Sequence, residues 1–372
     1  MTPPPRPPRP DQPARRHRQG PWRGVISAAV TVAVLAVVFA GVFPRFADYS
    51  QAWSSIRQMP GPYRAALVVA TVVNLAVYVW PFQAALPGLG YGPGFVTRQT
   101  SFAISNTVPA GGAVGLGVQY GMLDSYGLGA EAAAGAIAIT SVFNVFAILA
   151  MPVVGVLALL VGGAVEWRYV LVAVVGVLAI GIAVVVFAVV LRGREGALRV
   201  GHLAERLVNP LTRRFGHGRT VDLTGKLLGF RSSVVGVVET RWVPVTLSTL
   251  LLQLTSWAIL LLALRGLTRA GAAVTWSESL AAFSFARVVS FIPVTPGGLG
   301  TVDAALTALL TGFGASSSQA LAADLVWRAG SFAPQVLLGA LTFLWWRVTA
   351  AKRRARVAAG NAGGEPRRPG RG

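Results

Sequence analysis

The 372-residue chain is 54% hydrophobic and only 12% charged, yet its formal net charge is +20. So few charges cannot cover the surface of a soluble globule, and so much apolar content does not suit a disordered chain. Cysteine is absent, which excludes disulfides, thiolate catalysis and thiolate metal sites.

Residues 1–23 hold six arginines and eight prolines and read as a disordered basic tail. Val25–Phe43 follows without interruption. It is too long for the core of a signal peptide and is expected to stay as a first membrane span. Ala65–Leu86 reads as the second span. Phe95–Leu123 is apolar but broken at its middle by Asn106, Pro109 and the pair Gly111-Gly112. Ala132–Val161, carrying Asn144 and Pro152, and Tyr169–Leu191 read as the third and fourth spans. In the loop 192–241, Leu203, Leu207, Leu211 and Phe215 recur every four residues, with Arg199, Arg206, Arg213 and Arg214 on other faces; Leu223, Leu227, Phe230 and Val234 repeat the pattern. These are expected to be amphipathic helices lying on an anionic inner leaflet, with ordinary soluble loop helices as the alternative. Val243–Leu264 and Leu321–Trp346 complete six spans. Between them Ser279–Phe313 is broken by Pro293, Pro296, Gly297, Gly298 and Gly300. The tail 347–372 is basic, rich in Gly and Pro, and expected to be disordered.

The expected fold is therefore all-α: a polytopic transmembrane bundle over residues 24–346, with six full spans and two Pro/Gly-broken, re-entrant helical hairpins. The alternative is that each broken segment is a pair of kinked ordinary helices. Three segments, 1–24, 192–241 and 347–372, contain 24 of the 33 basic residues and a net +18. The positive-inside rule puts them on one face, so both termini are expected to be cytoplasmic at the cell membrane. Under that topology the two hairpins enter from opposite faces. Ser101-Phe102-Ala103 precedes the first break and Ser284-Phe285-Ala286 the second, as in an internal inverted repeat of the kind transporters use around a midplane site.

Charges inside the bilayer are costly enough to be functional candidates by default. Arg287, Asp303, Asp324 and Arg328 all lie in the second half. Asp324 and Arg328 are spaced i,i+4 and could simply pair, while Arg287 and Asp303 could bridge the second hairpin. Against these structural roles, the arginine fork suits a phosphate. Gly297, Gly298 and Gly300, after Pro296, would expose backbone N–H groups ahead of a helix over Thr301–Leu310, which favours an anion. Asn74, Gln83, Asn106, Gln119, Asn144, Gln253 and Gln335 line a polar path or act as interhelical hydrogen-bond glue. His17, His202 and His217 fall in the basic segments, so the spans offer no imidazole, and neither an enzyme active site nor a cofactor is expected.

Pro296-Gly297-Gly298-Leu299-Gly300, with Thr301-Val302-Asp303 and the downstream Val326-Trp327-Arg328, Ser331-Phe332-Ala333-Pro334 and Gly339, resembles the lysylphosphatidylglycerol synthase transmembrane region family of flippase-like proteins. Asn106, Pro109, Gly111 and Gly112 are similar to that family's shorter first motif. The resemblance covers about 22–346. It departs at Asp303, where the family usually has glutamate, and after Gly112, where Gln119 and Tyr120 stand near the place of a family arginine. The family's best-understood members translocate an aminoacylated phospholipid and carry a cytosolic aminoacyl-transferase domain. With 26 residues after Trp346, this sequence is expected to match the flippase half.

With the flippase-like resemblance, the intramembrane charges point to a translocase of a phospholipid or lipid-linked headgroup, in which Arg287 and Arg328 engage an anionic phosphate, Asp303 and Asp324 hold those arginines between substrates, and the two glycine-rich breaks lie at the site. A non-transporting accessory subunit of a lipid-modifying enzyme or glycosyltransferase is the competing reading. No nucleic-acid partner is expected, because the sequence has no folded basic domain outside the membrane.

Overall fold

A computed structural model describes residues 53–107, 111–163, 167–215, 222–267, 274–291, 298 and 300–362. The expected first span Val25–Phe43, residues 1–23, Pro109, Pro296 and Gly297 lie outside them. Among the described residues the structure is helical, without strands.

The chain runs through α1 (Gly61–Val77), the short α2 (Trp80–Ala85), α3 (Tyr91–Thr107), α4 (Gly111–Ser125), α5 (Ala130–Gly162) and α6 (Trp167–Arg192). It continues with α7 (Arg194–Phe215), α8 (Leu223–Leu267), α9 (Trp276–Val289), α10 (Thr301–Gly312), α11 (Ser317–Ser331) and α12 (Ala333–Ala362). Among the described residues four apolar stretches are long enough to cross a bilayer: Gly61–Ala85, Ala130–Gly162, Val174–Arg192 and Val234–Leu267. α6 turns Leu171, Val175, Leu178, Ile182 and Val185 outward. An exposed apolar stripe of that length is untenable in water and suits lipid.

Both broken segments are pairs of short helices packed on each other, α3 with α4 and α9 with α10. Leu321–Trp346 departs from its expectation as one span. It divides at Phe332 into α11 and α12, because Pro334 has no N–H and is tolerated only in the first turn of a new helix. The second amphipathic stretch of the loop is not a separate helix. It forms the start of the 45-residue α8, since no residue between Leu223 and Val243 breaks the helix and Pro244 is accommodated inside it. The Ala-rich basic stretch after Trp346 likewise continues α12 to Ala362, beyond the expected onset of disorder.

The packing is reciprocal. α3, from the first hairpin, lies along α12, which comes after the second; α9, from the second hairpin, lies along α5, which comes after the first. α1 and α8, the helices preceding the two hairpins, pack on each other. A glycine marks each crossing. A Cβ on Gly339 of α12 would stand 2.3 Å from the Gln99 carbonyl oxygen and 2.4 Å from the Ala103 Cβ. A Cβ on Gly155 of α5 would meet the Ser284 Cβ at 3.1 Å and the Ala281 Cα at 3.2 Å. The two Ser-Phe-Ala runs thus sit at equivalent crossings. Around them, Leu67, Ile259, Leu260, Phe283, Leu306 and Trp327 form one core cluster, and Phe82, Ala136, Ile139, Val234 and Val245 another.

α7 is tied to the start of α8 by Glu205, whose Oε1 accepts the N–H groups of Leu223 at 2.9 Å and Thr224 at 2.8 Å. These are the orphan donors of a helix N-terminus, and the carboxylate also complements its dipole. The Thr224 N–H foremost, then that of Leu223 and nearby His202, hold the Glu205 carboxyl below its ordinary range.

Two predictions follow from this packing. Gly339→Ala should cost about 1–3 kcal/mol by overpacking, Gly155→Ala less, and Gly117→Ala, which meets nothing within 4 Å, should not lower stability; thermal unfolding of the purified variants ranks them. A lowered carboxylate stabilises the fold above its unfolded pKa and loses that contribution as pH falls through the folded value. The melting-temperature gap between wild type and Glu205→Gln should therefore be open at pH 7 and close on acidification.

Candidate functional site

The two hairpins end at a shared space. A cavity of about 870 Å³ is lined from the first hairpin by Asn106, Gly111 and Gly112 and from the second by Arg287, Ser290, Phe291 and Gly298. α11 adds Trp327, Arg328 and Ser331, and α1, α5 and α8 close the walls with Asn74, Asn144 and Gln253 among others. The helix breaks make this geometry. At the first, Gly111 approaches α3 so closely that a Cβ would lie 2.3 Å from the Ile104 carbonyl oxygen. At the second, Gly300 takes φ = 93° at the N-cap of α10, a conformation that a side chain strains.

Polar side chains near these helix ends bond to the backbone of their own helix. The Asn106 amide donates to the Phe102 carbonyl at 2.8 Å, and Thr107 to that of Ala103 at 2.5 Å. Ser290 donates to the Arg287 carbonyl at 2.6 Å. On the far side of the second break, the Gly300 N–H donates to the Asp303 carboxylate at 2.7 Å. Of the N–H groups that the glycine run was expected to leave for an anion, that of Gly300 is thus already taken. Asp303 already caps α10 at Gly300 and compensates the helix dipole there.

The ion pairing also differs from both pairings expected from spacing. Arg328 Nε donates to Asp303 Oδ1 at 2.5 Å, and its Nη2 reaches the Gly298 carbonyl at 3.4 Å. Arg328 thereby bolts α11 to the second break. Asp324, one turn before it, is 2% exposed and its Oδ1 has no hydrogen-bond partner. It does not line the cavity. Spacing on one helix brings two side chains to one face, but Asp303, fixed by its cap, presents its second oxygen to the same fork. Arg287 has no carboxylate within ion-pair distance among the described residues, and its buried Nε has no acceptor. It lies within electrostatic reach of Arg328.

Sequence reasoning missed Arg98. It stands on α3 and lines the cavity, with its guanidinium 4.5 Å from the Tyr78 ring centroid and 5.6 Å from that of Phe82. Its Nε too is buried without an acceptor. Its place near the start of an apolar segment reads as a flanking charge, and only the fold of α3 against α2 and α1 brings it inward. Of the seven amides weighed as path or glue, Asn74, Asn106, Asn144, Gln253 and Gln335 line the cavity. Asn74 is also glue: it donates to Thr255 at 2.9 Å and accepts from Gln335 at 3.4 Å. Gln83 and Gln119 bond elsewhere, to the Leu89 carbonyl and the Ser101 hydroxyl. The lining thus holds three arginines and, among the described residues, no carboxylate.

Lysylphosphatidylglycerol synthase TM region is the family whose pattern matches residues 25–339. The chain belongs to this family. With its apolar helices, it is a multi-pass integral membrane protein. Comparison with curated proteins gives no match.

If Asp303 is the bolt of the second break, Asp303→Ala should cost about 3 kcal/mol, the low end for a broken buried pair because Asp303 keeps some exposure. Adding Arg328→Gln to that variant should cost less than in wild type. A thermal-unfolding double-mutant cycle reads the coupling.

Proposed function

We propose that this protein moves an anionic lipid or lipid-linked headgroup between the leaflets of the cytoplasmic membrane, with the cavity as its midplane site. One observation carries the reading: a cavity built from both hairpins is lined by three arginines, two of them without an acid partner among the described residues. An arginine buried in a bilayer without a counterion is costly, and a passing phosphate removes that cost. The family's name, with its aminoacylated phospholipid, supports a lipid substrate.

The topology completes the proposal. α3, α9 and α10 have 17, 14 and 12 residues, or roughly 25, 21 and 18 Å at 1.5 Å per residue. A hydrocarbon core of about 30 Å is longer than each, which favours re-entrant hairpins. The reciprocal packing suits an inverted repeat, in which one half rocks against the other to open the cavity to either side. The basic termini and α7 would lie at the cytoplasmic face, α7 against the anionic leaflet.

The test is reconstitution in liposomes with fluorescent anionic phospholipid. Transfer should exceed that of protein-free liposomes. Arg287→Gln and Arg328→Gln should each slow it roughly ten- to hundred-fold, the worth of about 1.5–3 kcal/mol for a hydrogen bond to a charged group. Both variants should remain membrane-inserted. A rate equal to that of empty liposomes would contradict translocation and favour the accessory-subunit reading.

A further inference from the structure

The charges around the cavity are unequal in kind. Arg328 is held by Asp303, which supplies one negative charge from behind the lining. Arg98 and Arg287 are left, one from each hairpin, each with a buried Nε that lacks an acceptor. Arg98 stands over ring faces, its guanidinium carbon 4.5 Å from the Tyr78 centroid and 5.6 Å from that of Phe82, and rings offer no in-plane acceptor to its N–H groups. A phosphodiester brings a single negative charge to two guanidiniums on separate helices and leaves one positive charge unbalanced. A ligand with two phosphates gives each arginine its own acceptor.

Resting on the translocase reading of this cavity, we propose that its ligand is a lipid whose headgroup bears two phosphate groups, with Arg98 as the specificity-determining residue for the second. Arg287 takes one phosphate near the second break. Arg98 takes the other from the first hairpin, so the ligand bridges the two halves.

The experiment measures binding to the purified full-length protein in neutral-lipid nanodiscs, read by quenching of tryptophan fluorescence, since Trp327 lines the cavity. The probes are a prenyl diphosphate, cardiolipin, phosphatidylglycerol and inorganic pyrophosphate. At least one two-phosphate lipid should bind ten-fold or more tighter than phosphatidylglycerol, and which of the two it is assigns a linked or a spaced pair of phosphates. Arg98→Gln should bring that preference to within two-fold, and Arg98→Lys should keep part of it, which separates loss of the subsite from loss of the fold. Equal affinities for all three lipids, no binding of either two-phosphate lipid, or a preference that persists in Arg98→Gln would overturn the proposal. Pyrophosphate binding as tightly as the lipids would overturn the assignment to a lipid. Binding is read without transport, so equal affinities leave translocation standing, whereas an intact preference without liposome transfer contradicts translocation alone.

Discussion

A helix that stops inside a bilayer leaves up to four backbone groups without partners, and lipid offers none. With both breaks at membrane depth, as proposed, the structure meets that constraint twice. At the second break Asp303 takes up part of the deficit, accepting the Gly300 N–H ahead of α10. What remains must face water or a ligand, so the two breaks meet at one polar cavity instead of two separate defects. Asp303 has a double part. One oxygen caps the helix and the other holds Arg328, so the backbone solution at the second break also fixes a cation at the cavity wall.

Reciprocal exchange explains how two marginal hairpins persist. Each lies along the long helix that comes after the other hairpin. Close approach at Gly339 and Gly155 makes van der Waals contact the source of adhesion, as expected where lipid removes the hydrophobic drive between helices. The same exchange places both cavity walls under joint control. A shift of α3 along α12 moves Arg98, and a shift of α9 along α5 moves Arg287.

Much of this was legible in the sequence because bilayers enforce simple rules. Apolar runs marked the spans around α1, α5, α6 and α8, and Pro/Gly interruptions marked both breaks. The charges Arg287 and Arg328 stood out within apolar segments almost without charge. The Ser-Phe-Ala runs, too short to carry weight as sequence, acquire meaning from the glycines they meet. What was not legible was pairing. Spacing offered Asp324 to Arg328, whereas the cap at Gly300 delivers Asp303 to it. Arg98 was hidden because position along a segment does not say which way a helix faces. The split at Phe332 was signalled by Pro334, but the flanking apolar residues outweighed it.

The central claim is that the breaks open onto one wet cavity and not onto lipid. The chain has no cysteine, so single thiols can be introduced cleanly at Asn106 and Ser290, one beside each break, and at Val185 on the outward face of α6. Reaction with a membrane-impermeant maleimide in intact membranes reports water at each thiol. The account predicts that Asn106→Cys and Ser290→Cys both label and that Val185→Cys does not. Asn106→Cys and Ser290→Cys as inert as Val185→Cys would contradict it.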